Sequence, residues 1–352
     1  MSLFAKNYLG IDIGSSSIKV VEISVSGKKK KLENYIEFKM PFSQEALKTF
    51  HGDDLVLLSS EVSEILQALL KKAKIKERKI VFSLPDFSTL FTTITLPPMT
   101  EAEVPQAVEF EARHYIPLPL SEVTFDWQIT DKEETVSGLR RKALLVAIPN
   151  AVLQNYQKMA SLCNLEIVGM EAEVFSFVRS AWPGEKYKFL PVCMIDFGWE
   201  STTVSIVEKK KLSTSFSFDV SSIGLTKDLS VALGVSLDEA EKMKVNHGLD
   251  PKKPKVAKVF LDKINLLTME IEKICEDFFQ VNGKRVDCLV LSGGTANLFG
   301  LKEYISSRIK KDVILADPFL SVNYPLVLAK RLKQIGPSFA VALGASLMPS
   351  EQ

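Results

Sequence analysis

The chain is poor in the features that would assign it quickly. It has four cysteines in 352 residues, and Cys163, Cys193, Cys275 and Cys288 lie far apart with no Cys-x-x-Cys pair. That excludes a disulfide framework and a thiolate zinc site of ordinary spacing, and points to buried thiols in a reducing compartment. It has almost no excess charge, 44 Lys+Arg against 43 Asp+Glu, so no global field draws it to nucleic acid or to an anionic membrane. It has no run near the roughly 18 apolar residues of a spanning helix. Its start, MSLFAKNYLGIDIG, lacks the parts of a secretory signal. The expectation is a cytoplasmic protein, with any membrane attachment made through a partner. At roughly 150 residues per domain its length predicts two or three domains, and a hydrophobic content of 46% is ample for a core in each.

What is present is a repeated device. YLGIDIGSSSIKVVEISV, at 8–25, is rich in β-branched residues, breaks at a Gly-Ser turn and runs into lysines; it predicts a hairpin with Lys28 to Lys31 at its far turn. That lysine run reads as a solvated turn, with an anionic-lipid contact as the alternative. PVCMIDFGWESTTVSIVEKKKL, from 191, repeats the pattern: Ile11, Asp12, Gly14, Ser17 and Val20 align with Ile195, Asp196, Gly198, Ser201 and Val204. Two copies opening two halves of a chain predict a duplicated α/β fold with a cleft between the halves.

Between them the text changes. Strand-like FSTLFTTITLP is followed by a capping box, Thr100 to Glu103, that predicts a helix toward Tyr115 kinked at Pro105. Two strand-like stretches and a helix capped by Asn150 complete a β-α-β-β-α unit, compact enough for an inserted subdomain. Farther on, Ser236 to Glu239 is a second capping box, and apolar spacing predicts a long helix over 255–281. An apolar strand ends at Gly293-Gly294, and a small-residue helix, SFAVALGAS, closes the chain.

The chemistry follows from residue types. Gly14, Ser15, Ser16 and Ser17 offer backbone N–H groups and hydroxyls as a phosphate cradle, with Lys19 on the return strand pointing back at the same oxygens. Asp12, repelled by phosphate, suits Mg²⁺ or its waters, and Asp196 mirrors it. Gly293 and Gly294 let the backbone approach a flat ligand, and a helix starting near Thr295 offers its positive end. Glu241 and Lys244, at i and i+3, suit ribose hydroxyls and an adenine edge. Glu171 and Glu173 are carboxylates placed to orient a water or simply to start a helix.

Asp12-x-Gly14 with Lys19, Asp196-x-Gly198 with Ser201 and Thr202, Ser292 to Thr295 and the closing Gly344 helix resemble the nucleotide-binding elements of the actin, heat-shock chaperone and sugar-kinase superfamily. Within it, Glu109 to Pro117, Glu122-Val123, Asp126-Trp127, Met170 to Phe175, and Ile223-Gly224 leading to Glu241 and Lys244 are similar to the PilM family, actin-like and FtsA-related proteins of type IV pilus assembly. FtsA ends in an amphipathic membrane helix, and from the closing LMPSEQ no such helix is expected here.

The resemblance implies an actin-like two-lobed α/β ATPase fold with a small α+β subdomain inserted in the first lobe. The expected boundaries are 1–85 and 166–190 for the first lobe, 86–165 for the insert, 191–334 for the second lobe, and 335–352 for a closing helix. It implies ATP and Mg²⁺ as cofactors, Asp12 and Asp196 as metal residues, and Asp196, Glu171 and Glu173 as catalytic candidates. Gly14 to Ser17, Lys19, Gly198, Ser201, Thr202, Gly224, Glu241, Lys244, Gly293, Gly294 and Asn297 become nucleotide contacts. The implied partner is the cytoplasmic N-terminal segment of a PilN-like inner-membrane protein, held by Phe87, Phe91, Tyr115 and Ile116, alongside other pilus assembly proteins and without nucleic acid. Trp199 and Glu200 stand where brisk ATPases carry small residues, so binding is expected to exceed turnover. The competing readings are a small-molecule kinase of the same fold and a filament former like FtsA.

Overall fold

The computed structural model describes residues 5–40, 60–136 and 138–351. In the first half, β1 (Lys6–Ile13), β2 (Ser17–Ser26) and β3 (Lys29–Lys39) form an antiparallel meander, and β4 (Lys79–Leu84) and β8 (Glu166–Ala172) add to it in parallel. The order is β3-β2-β1-β4-β8. In the second half, β9 (Pro191–Phe197), β10 (Thr202–Glu208) and β11 (Lys211–Phe218) repeat the meander, with β12 (Cys288–Ser292) and β13 (Asp312–Leu315) parallel, in the order β11-β10-β9-β12-β13. The two sheets are the same device used twice. Their middle strands are covered on both faces, which is why IVFSL and CLVLS read as unbroken apolar runs.

The insert is a third sheet of order β5-β7-β6, made of β5 (Leu90–Leu96), β6 (Val123–Thr135) and β7 (Gly138–Pro149), under helix α2 (Val104–Tyr115). Two local expectations shift here. Thr100 and Glu103 do bond, through Thr100 N and Oγ1 to Glu103 Oε2 at 2.8 Å, but the helix begins only at Val104. Pro105 then lies in its first turn, where no intrahelical N–H is needed, and causes no kink. Helix α3 (Asn150–Leu162) is not capped by Asn150, whose amide bonds Thr124 and the Ser121 carbonyl instead. Nor does α3 belong to the insert: it packs with helix α1 (Ser60–Lys72) against Phe82 and Ile80 of the first sheet. The insert itself leans on the second lobe, where Thr93 Oγ1 donates to the Ser213 carbonyl at 3.1 Å and Lys211 Nζ to that of Ile129 at 3.3 Å.

Helix α4 (Glu173–Ala181) follows β8. In the second lobe, α5 (Ser222–Leu233), α6 (Leu237–His247) capped by Ser236, the long α7 (Pro254–Asn282) and α8 (Leu301–Ile309) cover the outer face of the sheet. The closing helix α9 (Ala329–Leu347) starts earlier than 335 and is almost wholly buried from Gly336 onward. A Cβ on Gly344 would lie 1.8 Å from the Ser176 carbonyl oxygen, and one on Gly10 of β1 would lie 1.9 Å from that of Ala342. Hydrogen at both positions sets the distance at which α9 sits between β1 and α4.

An exposed helical Gly→Ala gains roughly 1 kcal/mol from propensity. Gly344→Ala is expected to reverse that sign and cost at least about 2 kcal/mol in urea unfolding, because backbone on both sides must move. A stabilised variant would show that α9 and α4 are not in this contact.

Candidate functional site

Both Asp-x-Gly turns open into one cavity of about 730 Å³ between the lobes. The halves are built alike. Gly14 N donates to Ser17 O and Gly198 N to Ser201 O, each at 3.0 Å, so both turns close in the same way. Asp12 pairs in register with Lys19 on β2 and Ser83 on β4, while Asp196 pairs with Thr203 on β10 and Ser292 on β12. Lys19 Nζ lies 3.3 Å from Asp12 Oδ2, and both side chains are nearly buried.

The third wall is the Gly-Gly turn. Gly293, at φ +86°, sits where a Cβ would be 2.2 Å from the Phe197 carbonyl oxygen, and its N–H donates to Pro337 O at 3.0 Å. A Cβ on Gly294 would meet nothing within 4 Å, so the cavity is open beside it. The expected helix dipole is absent: residues Gly294–Asn297 form a single 3-10 turn, and α8 begins only at Leu301. Thr295 Oγ1 is buried in this wall without a hydrogen-bond partner, a polar group of the kind that a bound ligand satisfies.

Of the residues singled out from sequence, Asp12, Gly14, Ser15, Ser16, Ser17, Lys19, Asp196, Gly198, Ser201, Glu173, Glu241, Lys244, Gly293, Gly294 and Asn297 line this cavity. Three do not. Thr202 is buried and donates to the Val220 carbonyl, because the residue after Ser201 faces into the lobe. Gly224 is spent on a helix cap, its N–H donating to Ser221 Oγ at 3.1 Å. Glu171 is a structural carboxylate, held by both terminal nitrogens of Arg179 and by Ser176 Oγ. Of the two glutamates, Glu173 alone reaches the cavity.

Lys244 also changes role. Its ammonium lies at 2.7–3.0 Å from Ser222 O and Oγ, Thr226 Oγ1 and Glu241 Oε2, and 5.5 Å from the Trp199 ring centre. Its donors are used within the chain, which leaves Glu241 the more accessible of the pair. The Trp199 ring therefore stands beside Lys244. It is Glu200 that reaches the Gly14–Ser17 turn, its Oε2 accepting from Ser15 Oγ at 2.8 Å across the cleft.

The partner residues are scattered. Phe87 lines the mouth of the cavity; Phe91 is half-buried with its ring 6.2 Å from that of Phe175; Ile116 is in the core of the insert; Tyr115 is exposed. Arg331, Gln334 and Ser338 of α9 also face the cavity without any sequence motif. Their i, i+3, i+7 spacing on a helix that carries the buried Pro337 is the signal that marks them.

Carboxylates gather at and behind the cavity wall: Asp12, Glu173 and Asp196 line it, and Asp86 lies behind beside Glu173 and Asp196. Burial raises Asp196 to about 6, helped by Asp12 and resisted by Lys19. Burial likewise raises Asp86 to about 7 despite a hydrogen bond from Val174 N, and Asp196 adds to the effect. Glu173 is pushed well above the ordinary range by burial and by Asp86, Asp12 and Asp196. Desolvation works against the charge of Lys19, yet Asp12, Glu37 and Asp196 outweigh it and raise its pKa. Among the described residues no group of three or more His, Cys, Asp or Glu side chains is placed to hold a metal ion. A divalent cation here would be held by Asp12 and Asp196 together with phosphate oxygens and water.

Two like-folded lobes with facing Asp-x-Gly turns and a shared cleft define the actin-like class. The chain is similar in structure to a PilM-PilN type IV pilus biogenesis complex (TM-score 0.83, 23% identity, covering 98% of this chain and 99% of that one). It is also similar to the ethanolamine utilization protein EutJ of Carboxydothermus hydrogenoformans (TM-score 0.58, 15% identity, 97% and 89%). MreB 5 of Spiroplasma citri bound to AMPPNP matches at TM-score 0.52 and 13% identity, covering 98% and 96%. At these identities the likenesses show the fold alone. The family model for type IV pilus assembly protein PilM matches residues 10–349, and the chain belongs to that family. In sequence it is 26% identical over 220 residues to the cell division protein FtsA of Staphylococcus epidermidis, covering 55% of this chain and 46% of that protein. The chain thus spans about half the length of the curated relatives it matches.

The raised carboxylates carry a sign. A carboxyl whose folded pKa exceeds its unfolded value binds more protons when native, so its burden on stability is absent below about pH 4 and complete above the folded value. For Asp86 that window runs from its ordinary 3.8 to about 7. Without nucleotide or metal, stability is expected to fall from pH 5 to pH 8. Asp86→Asn should reduce that fall by at least about 1 kcal/mol, since a tenfold change in a carboxyl's proton affinity on folding corresponds to about 1.4 kcal/mol. Identical pH profiles by urea unfolding would remove Asp86 as the titrating group.

Proposed function

We propose that this chain is a nucleotide-binding adaptor of a type IV pilus inner-membrane platform, holding ATP with Mg²⁺ in the cleft and a short segment of a PilN-like membrane protein on the first lobe near the insert. The observation that carries the nucleotide reading is the pair of turns, Gly14–Ser17 and Gly198–Ser201, facing one cavity that Lys19, paired with Asp12, and Asp196 also line. The similarity to a PilM-PilN complex supports the partner. The fit is chemical as well as geometric. Serine hydroxyls and backbone N–H groups suit phosphate, Gly294 leaves room for a flat base or sugar, and Thr295 Oγ1 awaits a partner. The bound cation would neutralise phosphate charge beside Asp12 and Asp196.

The chain's own residues favour binding over turnover. Glu173 is the candidate base that faces the cavity, and burial together with Asp86, Asp12 and Asp196 pushes its carboxyl well above the ordinary range, which works against the charged form. Glu200 brings another carboxylate to the phosphate turn through Ser15. Among the described residues no helix is long and apolar enough to cross a membrane. The likeness to a PilM-PilN complex supports a place in the cytoplasm, at the membrane through the partner.

ATP with Mg²⁺ at a hundredfold excess over its dissociation constant should stabilise the fold by roughly 2–3 kcal/mol. Lys19→Ala should weaken that binding by about 1–3 kcal/mol through loss of a charge-assisted contact. Glu200→Gln should tighten it, because a phosphate no longer meets the carboxylate. Calorimetry without heat of binding by the parent chain would reject the nucleotide reading, and turnover near about 10 per second would reject the adaptor in favour of an enzyme.

For the partner, a synthetic N-terminal peptide of a PilN-like protein should bind the full chain, and Tyr115→Ala should weaken it about fivefold or more with circular dichroism unchanged. Phe91→Ala is expected to lower stability, given its contact with Phe175. No binding by the parent chain rejects this partner; full binding by Tyr115→Ala moves the peptide elsewhere on the lobe.

A further inference from the structure

Outside the cleft, the segment between β13 and α9 is stitched to the outer edge of the first sheet. Leu32 N donates to Asn323 O at 2.9 Å, and Asn323 N and Nδ2 donate to Lys30 O at 2.8 and 3.1 Å. The lysine turn between β2 and β3 and the stretch 318–328 therefore form one piece of surface. Its inward side chains are fixed, with Phe319 and Val322 buried beside Leu32 and Leu332. Its outward ones are apolar and unusually bare: Leu320 is 77% exposed, and Leu326 and Val327 are each 87% exposed. They stand on two short 3-10 turns: Pro318–Ser321, anchored by buried Pro318 and Phe319, and Leu326–Leu328, of which only Leu328, partly buried, packs against the core.

The charge around them has one dominant sign. Lys28, Lys29, Lys330 and Lys333 are exposed. Of the nearby acids, Glu33 is taken up by Lys31 at 2.8 Å, and Asp317 is half-buried with Lys333 acting on it. We propose that this surface docks on an anionic lipid bilayer, with Leu320, Leu326 and Val327 entering the boundary between headgroups and acyl chains while the lysines meet lipid phosphates. Side chains this exposed have no walls around them for a peptide to fill, and none of the three lines the cleft. A fluid interface needs no walls, only protruding apolar groups with cations beside them. Alone such a contact is weak and reversible. Joined to a tether on a membrane protein it acts at high effective concentration and fixes the orientation of the lobe. The inference stands whether or not the nucleotide and peptide readings do.

The test is flotation of the full chain, without partner or nucleotide, on vesicles of phosphatidylcholine alone and of phosphatidylcholine with one third phosphatidylglycerol. Binding is expected on the anionic vesicles at low salt, about fivefold or more above the neutral ones, and should fall with added salt. Leu326→Asp with Val327→Asp should abolish it and Lys28→Glu with Lys29→Glu should reduce it, both at unchanged circular dichroism because the sites are exposed. The proposal is overturned if the parent chain fails to float, if both variants float as the parent does, or if the chain binds polyglutamate but no vesicle, which would assign the surface to an acidic protein.

Discussion

The architecture hangs on the depth at which helix α9 is set into the molecule. On one side its Ala342 carbonyl lies over Gly10 of β1, and on the other Gly344 lies against the Ser176 carbonyl of α4, at distances that no Cβ permits. Backbone thus meets backbone, and the spacing between the first sheet and the helix layer has little freedom to vary. The same helix reaches the second lobe through Pro337, whose carbonyl receives Gly293 N and Ser292 Oγ. Asp12 lies two residues beyond Gly10, and Asp196 pairs with Ser292. Both carboxylates are therefore positioned from one shared element.

That placement brings together groups that repel. Asp86, Glu173 and Asp196 gather near the Asp12–Lys19 pair, and burial with their mutual repulsion pushes all three carboxyls up. A cluster of this kind is poorer in stability than an apolar one, and such burdens concentrate where a ligand completes the charge balance. The unpartnered Thr295 hydroxyl and the open space beside Gly294 belong to the same logic. Across the cleft, Glu200 and Ser15 already touch, so the two turns are linked without a ligand.

Several residues were misplaced by sequence patterns for identifiable reasons. Glu171 and Glu173, two apart, would share a face of a strand, but β8 ends at Ala172 and α4 begins at Glu173. The change of geometry sends Glu171 to Arg179 and Glu173 to the cleft. Ser201 and Thr202 diverge because successive residues entering a strand point to opposite sides. Lys244 keeps the spacing of a ligand contact yet spends its donors on Ser222, Thr226 and Glu241. The helix at 150–162 follows the insert in sequence and packs on the first lobe, a choice made by its apolar face meeting Phe82 and α1.

The sequence by itself determined the duplication. Strand–turn–strand units with Asp, Gly and hydroxyl residues at matching positions carry local information, because alternation, turn chemistry and strand propensity act over a few residues. From this the two sheets, the facing turns and most of the cleft lining were legible. Only the tertiary structure decided how the carboxylates gather at the cavity, which of Glu171 and Glu173 faces it, that α9 contributes Arg331, Gln334 and Ser338, and that the 318–328 stretch joins the lysine turn. Those outcomes depend on which distant surfaces meet, and the contacts that settle them, such as Gly344 with Ser176 and Asn323 with Lys30, join residues far apart in the chain that no local pattern relates.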